Sequence, residues 1–233
     1  MLAGLVKGAL GFGLPIVSVS LLPFLLPVGD ALALNGLVLF VTNVQQIRAA
    51  GDLNGGVRAA WPLMAGTLVT VPLAAQFAAG IEGATLTLIL GTFVLGFVAL
   101  TLASPALRVA PRHRVPAGLA TGLVSGVVGG ITTSPGPIFV MYVVALALPR
   151  PTHMAALGAV MALFGGLVAV SYAVAGIVRA EHLTLGALAI LPALAGMALG
   201  DRMGRALPVP RFRQLVLGLL GVLGVSLIAR SLG

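Results

Sequence analysis

Cysteine is absent from the 233 residues, which excludes disulfides, thiolate metal sites and cysteine nucleophiles. Charge is scarce: only 8% of residues are Asp, Glu, Lys or Arg, against about a quarter in a soluble domain. A water-exposed surface cannot be built from so few charges, so lipid is the solvent for most of this one. Acids are the rarest charges. All five (Asp30, Asp52, Glu82, Glu181 and Asp201) fall at the ends of apolar runs. No carboxylate is therefore expected at membrane depth to bind a cation or relay protons, which argues against a cation pump. The three histidines, His113, His153 and His182, also sit at junctions and match no metal-ligand spacing. A P-loop is missing, and no metal or other cofactor is expected. Met1–Leu2 offers no basic region that would open a cleavable signal peptide.

What is present is apolar and small. Hydrophobic residues make up 59% of the chain, and glycine occurs 32 times while aromatics stay at 5%. Small residues let transmembrane helices approach closely, because packing drives their association in lipid. The net charge of +8 does not signal nucleic acid. The arginines stand singly or in small groups between apolar runs, without aromatic interleaving, and read as topology signals and lipid-headgroup contacts.

Six runs have the roughly 20-residue length that crosses a hydrocarbon core, at about 31–50, 57–80, 84–107, 155–178, 183–200 and 212–230. Two further apolar segments, 3–27 and 117–149, differ from these and resemble each other. Gly4-Leu5-Val6-x-Gly8-x-x-Gly11 matches Gly122-Leu123-Val124-x-Gly126-x-x-Gly129. Pro15-Ile16 and Leu26-Pro27 then match Pro137-Ile138 and Leu148-Pro149, and Pro62-x-x-x-Gly66 matches Pro192-x-x-x-Gly196. The expected fold is an all-α polytopic membrane protein of two homologous repeats, 1–110 and 111–233, forming one integral-membrane domain.

Both special segments are interrupted by helix-hostile sequence, Gly11-Phe12-Gly13-Leu14-Pro15 and Gly129-Gly130 through Ser134-Pro135-Gly136-Pro137. Each is either one kinked span or two half-helices folded as a re-entrant hairpin. Length favours the hairpin: 33 residues would make about 50 Å of continuous helix against a core of about 30 Å. Each limb is then expected to have 13–17 residues and to reach the midplane. Charge agrees. If both segments cross, the arginines divide seven to five; if both are hairpins, Arg179 and Arg230 oppose the other ten. That bias puts both termini on the periplasmic side of the inner membrane. Three crossings per repeat, an odd number, would then invert one repeat relative to the other.

Candidate binding residues cluster at the breaks. Each second limb is expected to begin on its proline, Pro15 or Pro137, a favoured first helical position. The positive ends of these half-helices would then face the membrane centre, with Gly11, Gly13 and Gly136 allowing close approach, an arrangement suited to a small anion. Lys7 is the single lysine and lies well inside an apolar segment. It is either a ligand for the anion or an interfacial anchor that snorkels. Asn35, Asn43, Gln45, Gln46 and Arg48 make 31–50 a polar span; Asn43 and Gln46 offer amide donors to a substrate's oxygens, or else fasten helix to helix. Thr132, Thr133 and Ser134 add hydroxyls, and Tyr142 and Tyr172 rank below them.

The run from Gly4 to Pro15 resembles the first signature of the TauE/SafE sulfite-exporter family, and Gly122–Gly130 followed by Ser134-Pro135-Gly136-Pro137 resembles its second. Pro192-x-x-x-Gly196, Gly200-Asp201-Arg202 and Phe212-Arg213 fit its carboxyl region. The resemblance implies a bacterial inner-membrane permease of about eight helices that exports sulfite, sulfonates or related sulfur-containing anions, and no enzyme. The alternatives are a passive anion channel or a transporter of another small organic anion. An intramembrane hydrolase using Ser125 or Ser134 lacks a base within reach. The expected partners are a small anionic substrate and membrane lipid, with no nucleic acid; a homo-oligomer is compatible with the sequence.

Overall fold

A computed structural model describes residues 1–103, 108–206 and 209–232, and the side chains of these except 204–206 and 209–213. Arg205, Arg211, Phe212 and Arg213, together with the tail of the expected span 84–107, thus fall wholly or in their side chains outside the described residues. Among the described residues there is no strand. The helices are α1 (Leu2–Leu10), α2 (Leu14–Leu21), α3 (Val28–Ala50), α4 (Leu53–Ala79) and α5 (Gly83–Ala103). They continue with α6 (Arg114–Thr132), α7 (Gly136–Ala145), α8 (Arg150–Val174), α9 (Ala180–Ala206) and α10 (Val209–Leu232). Seven stretches are long and apolar enough to cross a membrane: α3, α4, α5, 111–132, α8, 180–203 and 214–232. The protein is an all-helical, multi-pass membrane protein.

The seventh stretch corrects the expected limb lengths. In the second broken segment α6 has 19 residues, and a 3₁₀ turn at Pro111–His113 precedes it. Its return limb α7 has only 10. The segment nevertheless doubles back. Val109 N–H donates to Ala145 O at 3.0 Å, the Arg114 guanidinium reaches Leu146 O at 3.3 Å, and Tyr142 Oη donates to Arg114 O at 2.7 Å. Both limbs of 111–146 therefore start and finish at one end of the bundle. The limbs also begin one residue early, on Leu14 and Gly136, so Pro15 and Pro137 are second rather than first.

Contacts across the bundle sort the helix ends. At one end the starts of α3 and α9 meet through Asp30 and His182 (3.1 Å), and Arg230 near the end of α10 donates to Pro23 O (3.0 Å). At the other end Thr152 at the start of α8 donates to Asp52, the N-cap of α4, at 2.6 Å. Arg179 and Arg230 lie at the first end; Arg48, Arg58, Arg108, Arg112, Arg114, Arg150 and Arg202 lie at the second.

The glycine motifs explain which helices pair. A Cβ on Gly66 of α4 would sit 2.7 Å from Leu119 O and Leu123 N of α6, and one on Gly196 of α9 would sit 3.0 Å from Leu5 N of α1. Gly122 faces Leu63, and Gly4 faces Ala193. Leu119 and Leu123 are the repeat counterparts of Met1 and Leu5, as Ala193 is of Leu63. Each glycine helix thus lies backbone to backbone against the Pro-x-x-x-Gly helix of the other repeat, running parallel to it. Absence of a side chain is the requirement at these crossings.

α3 and α8 form the central pair and run antiparallel. Gly36 meets Ala169, Gly165 meets Phe40 and Gly158 meets Ile47. Within the spanning windows 56% of α3 and 67% of α8 is buried, against 22% of α9. The main core gathers around this pair, with the Phe139 and Phe164 rings edge to face at 5.9 Å.

Candidate functional site

The first break is built from two glycines with positive φ, Gly11 at 80° and Gly13 at 100°, a region open to glycine without steric cost. The second break uses Thr133 at φ 52°. A side chain there costs about 1–2 kcal/mol, and hydrogen bonding holds it: Asn35 Nδ2 donates to Thr133 O (3.2 Å) and Oγ1 (3.0 Å). Asn35 Oδ1 in turn accepts from Ser18 Oγ at 2.8 Å. Ser18 lies on α2, one turn beyond Pro15, so Asn35 ties the returning limb of the first break to the apex of the second.

Lys7 does not snorkel. Its side chain is 3% exposed and its ammonium donates to Asn43 Oδ1. Asn43 spends one amide hydrogen on Leu39 O at 2.7 Å. Among the described residues no salt bridge reaches Lys7. Asn35 and Asn43 each stand four residues from Leu39, the middle of α3, or about 6 Å along the axis. Lys7 with Asn43, and Ser18 with Asn35 and Thr133, are therefore two buried polar clusters on either side of the centre of α3, about 12 Å apart along its axis.

The other expected residues divide. Thr132 Oγ1 donates to Val128 O (2.8 Å) and accepts from Ser134 N–H (3.3 Å), so it stabilises the turn. Ser134 Oγ is fully buried and, among the described residues, has no hydrogen-bond partner, an arrangement that costs about 1–3 kcal/mol unless something else satisfies it. Gly136 and Pro137 open α7 and are buried. Gln46 is only partly buried and donates weakly to Met154 O at 3.4 Å, close to Gly11, which also faces Met154. It stands apart from the Asn35–Thr133 cluster.

Three contributors were not legible. Ser18 carries no polar neighbours in sequence to mark it. Tyr172 looks interfacial but is 0% exposed, with Oη donating to Gly130 O at 2.9 Å. His182 looks like a junction residue, yet it is buried and lies against Asp30. A cavity of about 800 Å³ opens at that same end, between Asp30, Leu32, Leu86, Tyr172, Arg179 and Arg230.

Apolar helices that leave a cation, amides and hydroxyls buried beside two broken helices, with the five acids kept to helix ends, have the features expected of a membrane transporter. The family model for the sulfite exporter TauE/SafE matches residues 1–227, and the chain belongs to that family of membrane transporters. No curated protein and no solved structure matches it.

Proposed function

We propose that this chain is a secondary transporter that exports small sulfur-containing oxyanions, sulfite or sulfonates, across the inner membrane. Lys7 carries the reading: a buried ammonium held by the neutral amide of Asn43, in a bundle whose second break carries Ser134 with its unspent hydroxyl. Burying a cation in a membrane protein is costly, and a bound anion offsets that cost. In this proposal Lys7 and Asn43 face the anion from one side, with Thr133, Ser134 and the start of α7 at Gly136–Pro137 on the other. Gly11, Gly13 and Pro15 shape the first break, Thr132 shapes the second, and Gln46 guards the flank. Residues 1–110 and 111–233 are inverted repeats in the proposal, a reading supported by the antiparallel course of α3 and α8. The seven-to-two distribution of described arginines supports a periplasmic position for both termini.

Purified protein in liposomes, offered sulfite, sulfate, thiosulfate, sulfoacetate and taurine with and without a pH gradient, is expected to carry at least one of the anions. Counterflow is expected too, and its absence alongside rapid flux would leave a passive channel. For orientation, a reporter active only in the cytoplasm is expected to be silent at the C-terminus and bright when inserted at Gly51. The reverse pattern overturns the orientation.

A further inference from the structure

We infer that Tyr172 is the gate between the cavity at the Asp30 end and the second break at Thr133–Ser134. The inference rests on the transport reading and adds to it a path and a residue that controls that path. The cavity holds about 800 Å³ and is open to the surface. Arg179 and Arg230 stand on its wall, and Arg230 is pinned by its bond to Pro23 O and by the Phe24 ring, 5.1 Å from its guanidinium carbon. An anion leaving the second break would meet these two cations, with the Asp30 carboxylate on the same wall, before the surface. At the inner end the wall includes Leu32 and Tyr172, which join two different routes to the same apex.

Leu32 is one turn before Asn35 on α3, and Asn35 holds Thr133. Tyr172 reaches the apex from α8. Its hydroxyl donates to Gly130 O at 2.9 Å and lies 3.4 Å from Ile131 O, in the last turn of α6. Two residues after Ile131 comes Thr133, and then Ser134 with its buried, unpartnered hydroxyl. One aromatic ring therefore stands between the open mouth and the break that the transport reading assigns to substrate. Core packing and this one hydroxyl anchor, its hydrogen bonding shared between Gly130 O and Ile131 O, hold that ring. Because the anchor ends on carbonyl oxygens of a helix terminus, it can be exchanged for water without unwinding the helix.

The repeat makes the assignment sharper. Residues of α3 and α8 correspond at a spacing of 122, shown by Gly36 with Gly158 and Val38 with Val160. At that spacing Tyr172 corresponds to Ala50. The ring is thus present in one repeat only.

The chain has no native cysteine, so a single introduced thiol reports alone. Ser134→Cys is the probe position, Thr87→Cys on the cavity wall is the control, and the reagent is an anionic, membrane-impermeant methanethiosulfonate. Thr87→Cys is expected to react quickly whatever stands at 172. Ser134→Cys is expected to react slowly beside Tyr172, at least about tenfold faster in Tyr172→Ala, and at an intermediate rate in Tyr172→Phe, which keeps the ring and loses its anchor. Equal Ser134→Cys rates for Tyr, Phe and Ala at 172 overturn the gate. If Tyr172→Ala does not fold, the Phe variant decides alone. Labelling needs no transported substrate, so failure of the gate and failure of the transport reading are separate results.

Discussion

Replacing Lys7 by Met is expected to lower anion transport by about ten- to a hundredfold while the amount of protein in the membrane stays close to normal. The direction follows from two energies of opposite sign. The ammonium makes one charge-assisted bond to Asn43, and a similar bond to a substrate oxygen is worth about 1.5–3 kcal/mol. Its loss gives the stated drop at 1.4 kcal/mol per tenfold. Removing the charge also removes an insertion cost of about 3 kcal/mol, so abundance does not suffer. Lys7→Arg keeps the charge and alters the donor geometry, and partial transport is expected. Flux into liposomes, normalised to protein by quantitative blotting, reads both quantities. Wild-type flux in Lys7→Met would leave the helix ends as the sole source of positive potential.

The second large effect concerns the exchanged glycine contacts. Gly66→Leu and Gly196→Leu are each expected to abolish the folded, monodisperse protein in detergent, because a Cβ at either position meets backbone of the partner helix. At Gly66 the nearest atoms are Leu119 O and Leu123 N at 2.7 Å. Backbone cannot swing aside as a side chain does. Inserting even one or two methylenes into a tight core costs about 1–3 kcal/mol, and leucine demands more. Gly218→Leu serves as the control, since nothing lies within 4 Å of its Cβ. Size-exclusion profiles and thermal melts of the three variants check the expectation. Equal behaviour of Gly66→Leu and Gly218→Leu would remove close packing as the reason for the motif.

Much of this architecture is legible in the residues, and the exceptions have physical reasons. Hydropathy and length alone place α3, α4, α5, α8, α9 and α10 within a few residues. The breaks are visible because Gly11, Gly13, Pro135 and Pro137 are incompatible with continuous helix. The repeat is visible because its glycines recur at fixed spacing. Composition does not reveal how deep a limb goes: α6 is nearly twice as long as α7, although both are largely apolar. Partner choice is hidden as well. Nothing local to Gly4 tells that it rests on Ala193 rather than on a neighbour within its own repeat. The two polar clusters are half visible. Lys7 stands out as a lone cation in apolar sequence, and Asn43 as an amide in a span. That these two bond to each other, and that Asn35 and Thr133 do so across 98 residues, depends on the crossing of helices and is not written in either segment.

The exchange of partners has a consequence for how the protein is made. α1 leaves the ribosome well before α9, and its glycine face has no partner until α9 follows. At about 5–20 residues per second, the interval from Gly4 to Ala193 is roughly 10–40 s. During that time the Gly4–Gly8 face must lie against lipid or against a temporary neighbour. α6 waits for nothing, since α4 precedes it. Of these glycine faces, that of α1 waits longest for its partner, and a chain cut short before α9 would present that bare backbone face to whatever inspects nascent proteins in the membrane.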